Sequence, residues 1–181
     1  EENGFIGIVG YDTNRLVLTS GKNPRCKCSR IFRKLFFKTV KNQKTITEII
    51  RFMKHNNVSL IFKVIEDENG CDQSKIVLLD IVKNTVEFQL FPYAKTNEVA
   101  QKFGFKHKTH AYTIKNLSEF YNWLSVVKQK GYKYNEKMIK GFVIRDSNNY
   151  MFRVFTTSQY NMKPLCKNKL KTKKVFYREN L

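Results

Sequence analysis

The chain has 181 residues, of which 41% are hydrophobic and 14% aromatic, so it is long enough for one folded domain and its composition excludes a disordered chain. No apolar run is long enough to cross a bilayer, which predicts a protein without a membrane-spanning helix. Lys and Arg number 34 against 15 Asp and Glu, a formal net charge of +19. This excess favours nucleic acid as a partner, because each neutralised phosphate releases counterions; the alternative is a lysine-rich surface that serves solubility alone.

The first half of the chain predicts strands and helices in irregular alternation. Apolar or β-branched runs predict strands over residues 5–11, 15–20, 58–65 and 75–82. Ile31, Leu35 and Phe36 have helical spacing within a basic stretch. Thr45 and Glu48 have the spacing of a capping box, which predicts the start of a helix that ends at Asn56 and Asn57.

The second half continues this mixture. A tight turn at Lys83 and Asn84 leads into an extended segment over residues 85–90, and Asn97 to Phe103 predicts a short helix. A second capping pattern at Asn116 to Glu119 opens an amphipathic helix. Strands follow over 141–145 and 150–155, and the tail is strongly basic. The hairpins among the helices predict an α+β domain and not a doubly wound parallel sheet.

Five segments on or beside the predicted strands carry the most specific pattern. They are residues 1–8 (EENGFIGI), 18–22 (LTSGK), 57–65 (NVSLIFKVI), 139–144 (IKGFVI) and 151–156 (MFRVFT). In this order they resemble the collinear motifs of covalent nucleotidyltransferases, and most closely those of the phage-type ATP-dependent RNA ligases. The resemblance implies a nucleotidyltransferase (ATP-grasp-like adenylation) core of mostly antiparallel sheets flanked by helices. It covers residues 1–161 as the ligase-like domain and leaves 162–181 as a basic C-terminal segment.

The charged residues of these motifs depart from the family pattern. The family's nucleophilic lysine, ribose-binding glutamate, metal-holding glutamate and two phosphate-holding lysines correspond here to Glu1, Lys63, Lys140, Arg153 and Phe155. A carboxylate at position 1 is unable to form the lysyl-phosphoramidate. Ammonium groups in place of carboxylates disfavour a divalent metal, which needs anionic oxygens. The resemblance therefore implies a pseudoenzyme with no intact catalytic residue, no metal site and no expected cofactor.

Cations at and near the motifs are predicted to contact nucleotide or RNA phosphates. They are Lys22, Lys63, Lys140, Arg145, Arg153 and Lys163. Lys63 is also consistent with an edge-strand lysine that extends into solvent, and Lys140 and Arg153 are also consistent with outward-facing strand residues. Gly4 and Gly7 are likewise consistent with backbone packing alone.

The remaining chemistry-bearing residues predict no second site. Cys26, Cys28, Cys71 and Cys166 fit neither a zinc motif nor a disulfide framework, which predicts reduced thiols in an intracellular protein; the alternative is a bound metal. The three histidines are scattered and predict surface positions. Tyrosines among basic residues suit base stacking and core-rim packing equally; they are Tyr93, Tyr112, Tyr132 and Tyr134.

Three functions are compatible with these observations. The first is a noncatalytic RNA-ligase-like domain that binds RNA or acts as a subunit of a larger assembly. The second is an active ligase, using ATP and Mg²⁺, whose motif residues are engineered or misassigned in this sequence. The third is a protein-interaction module without a nucleic-acid role. The chain opens at Glu1 without an initiator Met, which predicts that it is part of a longer or processed protein.

Overall fold

The computed structural model describes residues 4–13, 15–21, 23–66, 74–108, 113–130, 133–134, 137–138, 141–146 and 150–155. Two compact units make up the chain. Unit 1 comprises residues 1–113 with 145–150, and unit 2 comprises residues 114–144 with 151–181. The predicted boundary between a ligase-like domain and a basic segment at residue 161 lies outside the described residues and stays a prediction.

Unit 1 is built on a five-stranded sheet. Its strands are β1 (Phe5–Asp12), β2 (Arg15–Thr19), β3 (Val58–Ile65), β4 (Lys75–Lys83) and β5 (Lys106–His107). The spatial order is β2-β1-β3-β4-β5, and every pair is antiparallel except β4 with β5. The prediction for β3 is confirmed at both ends, because its alternation of buried and half-buried side chains is regular along all of its length.

The described part of unit 1 has three helices: α1 (Lys27–Thr39), α2 (Gln43–Asn56) and α3 (Tyr93–Phe103). Aromatic rings join α1 to the buried face of the sheet. The Phe32 and Phe36 rings lie 5.7 and 6.0 Å from that of Phe62 on β3, and the Phe105 ring lies 5.0 Å from it. Each of these rings removes a large apolar area from water, so this cluster fixes α1 against the sheet.

Two predicted helix starts are wrong, and a local polar group explains one of them. α2 begins before Thr45 because the Asn42 side chain accepts a hydrogen bond from the backbone N–H of Lys44 at 2.8 Å. α3 begins at Tyr93, directly after Pro92, instead of at Asn97. The end of α2 is confirmed, since Asn57 takes the left-handed conformation that closes a helix.

The predicted extended segment after β4 is not a regular strand. Residues 85–87 form bends, and Leu90 makes an isolated antiparallel bridge to Val82. Val86 and Phe88 are exposed, so this segment lacks a buried face that would hold it as a strand.

Unit 2 contains a helix and two short strand pairs among its described residues. These are α4 (Leu117–Lys130), β6 (Lys133–Tyr134) with β7 (Lys137–Met138), and β8 (Gly141–Arg145) with β9 (Met151–Phe155). The last residue of β8, Arg145, is counted with unit 1. The capping prediction for α4 is confirmed, because the Asn116 side chain accepts from the Glu119 N–H at 2.9 Å. Trp123 packs edge-on against Phe142 of β8, with ring centres 5.0 Å apart. The mixture of helices and mostly antiparallel strands confirms the α+β class.

Candidate functional site

The segments that carry the first and third motif frames are neighbouring strands of one sheet. β1 pairs with β3 so that Ile6 lies opposite Lys63, and Lys63 lies opposite Val77 of β4. Paired residues of an antiparallel ladder point to the same face, so Ile6, Lys63 and Val77 share the face opposite the helices. The sequence segments 1–8 and 57–65 are therefore brought side by side, although they are far apart along the chain.

Lys63 occupies a central strand and not an edge strand. β3 lies between β1 and β4, and the Lys63 side chain is half-buried. Its ammonium group donates a hydrogen bond to the carbonyl oxygen of Gly4 at 3.1 Å. The alternative of an edge-strand lysine that extends into solvent is therefore wrong. Lys63 holds its charge beside the backbone of the first motif frame.

Gly4 and Gly7 are required by packing. Gly4 has a φ of +144°, and a Cβ atom added there would lie 2.0 Å from the carbonyl oxygen of Val64. A Cβ atom at Gly7 would lie 2.7 Å from the ring of Phe32. These two glycines let β1 approach β3 on one side and α1 on the other, as expected for glycines that serve backbone packing.

The second motif frame also converges on Ile6. The Ser20 hydroxyl donates to the Ile6 carbonyl oxygen at 2.7 Å, and the Ser20 N–H donates to the buried Ser29 hydroxyl at 2.8 Å. Gly21 follows with a φ of +65°. Three of the five motif frames therefore meet around Ile6, through Gly4, Ser20 and Lys63. This convergence is the geometric centre of the candidate site in unit 1.

A carboxylate outside the motif frames lies on the same face. Asp80 of β4 pairs in register with Ile61 of β3. Its Oδ1 atom accepts from the Lys108 ammonium at 2.7 Å and from the Arg145 guanidinium. The Asp80 side chain is only 13% exposed. Reasoning from sequence missed this residue, although a lone acid inside the apolar run 76–82 was a usable signal, because a buried carboxylate requires partners.

Burial lowers the pKa of Lys108, and its hydrogen bond to Asp80 opposes that effect. The ammonium of Lys108 is therefore less stable in this position than in water, even with its carboxylate partner. The same burial effect, followed by the nearby positive charge of Lys108, lowers the pKa of His107. His107 is half-buried, with its ring 4.8 Å from that of Tyr93, so the prediction of a surface position is wrong for this histidine.

Arg145 enters the site as part of an ion pair. A phosphate contact is predicted for it from the sequence, and in the fold its guanidinium donates to Asp80. An arginine has five N–H donors, so pairing with one carboxylate oxygen leaves this prediction open. Its side chain is 21% exposed.

In unit 2, β9 carries the two positions at which the family has its phosphate-holding lysines. Arg153 and Phe155 are both exposed. Strand β8 approaches β9 closely, because a Cβ atom at Gly141 would lie 2.4 Å from the Val154 carbonyl oxygen. Glycine is therefore needed at the Gly-hydrophobic step of the fourth frame. The exposure of Arg153 is consistent both with a phosphate contact and with an outward-facing strand residue.

Four predicted site residues lie outside the described part of the chain, and their roles stay predictions. They are Glu1, Lys22, Lys140 and Lys163. The tyrosine prediction is open for the same reason at Tyr112 and Tyr132, and it stays a prediction at Tyr134 of β6. Tyr93 is half-buried and donates its hydroxyl to the Lys108 carbonyl at 3.2 Å. That bond favours a rim position for Tyr93.

The thiols and acids that are described form no ligand cluster. Cys26 and Cys28 are free thiols, and among the described residues no group of three or more His, Cys, Asp or Glu side chains is placed to hold a metal ion. Cys26 caps α1, where its sulfur accepts from the Ser29 N–H at 3.4 Å. Hydrogen bonds from Ser29 lower the pKa of the Cys26 thiol.

A cleft of about 470 Å³ lies elsewhere in unit 1, between α2, α3 and the segment that joins β4 to α3. Its lining includes Phe52, Lys83, Phe91 and Lys95. None of its lining residues belongs to a motif frame, so the cleft is separate from the site around Ile6.

Of two comparisons with known proteins, one identifies a family. A family model described as RNA ligase matches residues 1–173, which include all five motif frames. A search of curated proteins finds no match. None of the helices in the described residues is long and apolar enough to cross a membrane.

Proposed function

The chain belongs to the RNA ligase family, and from that membership we propose that it is a catalytically degenerate member, which binds RNA and does not transfer nucleotides. The observation that carries the proposal is Lys63. The motif strands β1 and β3 stay paired around it, while the side chain at this position carries the opposite charge to the family's ribose-binding glutamate.

The charge at position 63 bears directly on nucleotide binding. A carboxylate accepts hydrogen bonds from ribose hydroxyls, whereas an ammonium group has only donors. The Lys63 ammonium donates a hydrogen bond to the carbonyl oxygen of Gly4, so it is bound to the backbone of the first motif frame. Glu1 stands in that frame in place of the nucleophilic lysine. Glu1 offers no amine to attack ATP, and Lys63 offers no acceptor for the ribose hydroxyls of ATP.

The metal and phosphate positions of the family support the same proposal. Lys140 stands at the position of the metal-holding glutamate, and a cation there opposes Mg²⁺ binding. Phe155 replaces one phosphate-holding lysine, while Arg153 keeps a cation at the other. A cation at each of the motif positions Lys63, Lys140 and Arg153 favours an anion over a metal-bound nucleotide, and RNA phosphate is the anion that the family's substrate supplies.

Self-adenylylation tests the loss of catalysis. The full chain is incubated with α-³²P-labelled ATP and Mg²⁺, alongside an active RNA ligase, and covalent label is measured after denaturing electrophoresis. We expect label on the control enzyme and none on this chain. An acid-labile adenylate on this chain would support the second function, an active ligase, and would overturn the proposal.

RNA binding tests the other half of the proposal. Fluorescence anisotropy with a labelled single-stranded RNA is measured at several salt concentrations. We expect the logarithm of the association constant to fall linearly with the logarithm of the salt concentration, because counterions are released from the phosphates. Absence of such binding would favour the protein-interaction module, whose partner in a larger assembly would then be sought by co-purification.

A further inference from the structure

The longest stretch of the chain without an acidic residue centres on α1. Between Asp12 and Glu48 the sequence holds ten Lys or Arg residues and no Asp or Glu. The helix carries no acidic residue in its first turn, where acids are most favourable. This segment therefore concentrates positive charge on one part of unit 1.

The structure arranges part of this charge as a stripe on one side of α1 and its C-terminal flank. The exposed residues Lys27, Arg30, Lys34, Lys38 and Lys41 are spaced by three or four positions, and we call this stripe the basic ridge. The first four lie on α1, where residues at that spacing share one helical face and are about one turn or 5.4 Å apart. Lys41 follows the helix, which ends at Thr39.

The opposite side of α1 holds the helix to the sheet. Phe32 and Phe36 are fully buried there. Because these rings pack against Phe62 of the sheet, the ridge cations of α1 lie on the side of the helix that faces away from the sheet.

The basic ridge is unfavourable for the isolated chain. Like charges at this spacing destabilise a helix by about 0.2–0.5 kcal/mol per pair. Within the described residues no carboxylate forms an ion pair with Lys27, Arg30 or Lys34. A polyanion laid along the ridge would relieve this repulsion, so charge complementarity identifies the class of partner.

An aromatic side chain beside the basic ridge favours single-stranded nucleic acid as the polyanion. Phe37 is 41% exposed although its neighbour Phe36 is buried, and it lies one helical turn after Lys34. An exposed ring among cations suits a base of single-stranded nucleic acid. A membrane surface fits less well, because an amphipathic helix would present a broad apolar face, and the apolar face of α1 is occupied by the sheet.

We propose that the basic ridge is a binding surface for single-stranded RNA, with its cations on successive phosphates and Phe37 against a base. This surface is separate from the motif positions around Ile6. The inference rests on the proposed function, because it assumes that RNA is the anion that the chain binds.

A matched pair of variants tests the ridge. Arg30→Gln/Lys34→Gln removes two ridge charges, and Lys95→Gln/Lys102→Gln removes two exposed charges from α3 in the same unit. Binding of a labelled oligouridylate to each full-length variant is measured by anisotropy across a salt series. We expect the ridge variant to bind roughly tenfold more weakly, with a salt slope shallower by about 1.4, since each phosphate contact on a single strand contributes about 0.7. The α3 variant should bind within about twofold of the wild type.

A second measurement does not depend on substitutions. Amine-reactive labelling of the wild type, resolved by mass spectrometry, should show protection of Lys27, Lys34 and Lys41 by the same RNA and unchanged labelling of Lys102. Circular dichroism of both variants checks that their helices are retained.

The outcomes separate the two proposals. If the wild type binds RNA while the ridge and α3 variants behave alike and the ridge lysines are not protected, the ridge inference is overturned and the proposed function stands. If the wild type binds no RNA, both fail. Ridge-dependent binding to anionic vesicles without RNA binding would also overturn the inference, in favour of a membrane surface.

Discussion

Asp80→Asn removes the carboxylate that Lys108 and Arg145 share on the sheet of unit 1. Both cations contact the same Oδ1 atom, so their nitrogen atoms lie no more than about 6 Å apart. Two unit charges at that separation repel by roughly 3 kcal/mol at an effective dielectric constant of about 20. The two side chains are 27% and 21% exposed, so solvent screens part of this repulsion. We expect the substitution to lower the free energy of unfolding by about 1–2 kcal/mol at neutral pH.

Urea unfolding followed by far-ultraviolet circular dichroism measures this change. Asp12→Asn is the matched control, because Asp12 pairs with Arg15 at 3.5 Å and is 59% exposed. An exposed pair contributes little, so the control should change the free energy of unfolding by less than about 0.5 kcal/mol. Adding Lys108→Met to Asp80→Asn should recover part of the loss, since one of the two repelling charges is then absent. Equal effects of the two Asp→Asn substitutions, or no recovery in the double variant, would contradict this electrostatic account of Asp80.

The remaining predictions concern three other positions. Gly7→Ala should destabilise unit 1 by about 1–3 kcal/mol in urea unfolding, because the added Cβ atom meets the buried Phe32 ring. Gly10→Ala on the same strand is the control, since a Cβ atom there meets nothing within 4 Å and should be close to neutral. Similar losses of unfolding free energy in the two variants would contradict this packing account. Burial lowers the pKa of Lys108 in the folded chain, so the free energy of unfolding rises with pH up to the ordinary lysine value of 10.5 and falls again as pH drops through the lowered pKa. The wild type should therefore gain stability relative to Lys108→Met as pH approaches 10.5. A difference between the two that is constant with pH would contradict this prediction. Cys26 should be alkylated faster than Cys28 at neutral pH, and Ser29→Ala should slow it, as read by peptide mass spectrometry; equal rates would exclude the thiolate stabilisation inferred for Cys26.

Local pattern was sufficient wherever burial followed a regular period. The alternation along Val58–Ile65 predicted β3 to the residue, and Asn116 with Glu119 predicted the start of α4. The prediction failed after Asn84, where β-branched and aromatic residues favour a strand, because Val86 and Phe88 find no apolar surface to cover them. It also failed at the start of α2, where the Asn42 cap precedes the expected capping box.

The candidate site was predicted in part. The motif order identified Lys63 as a site residue, and the fold places it beside the first motif frame. Asp80 and Lys108 were missed, because neither belongs to a motif and their pairing joins residues 28 positions apart. A sequence pattern that rests on short spacing contains no information about such contacts.

Periodicity, motif order and composition can be read along the chain in one direction, and they were enough to predict the class of the fold, the family and the excess of positive charge. Which charges become neighbours was settled by folding. Folding placed Lys63 on a central strand against the Gly4 carbonyl, enclosed Asp80 between two cations, and lined up the cations of the basic ridge on the exposed side of α1. Charge interactions depend on distance and burial, and both are set by how the strands and helices pack and not by separation along the chain.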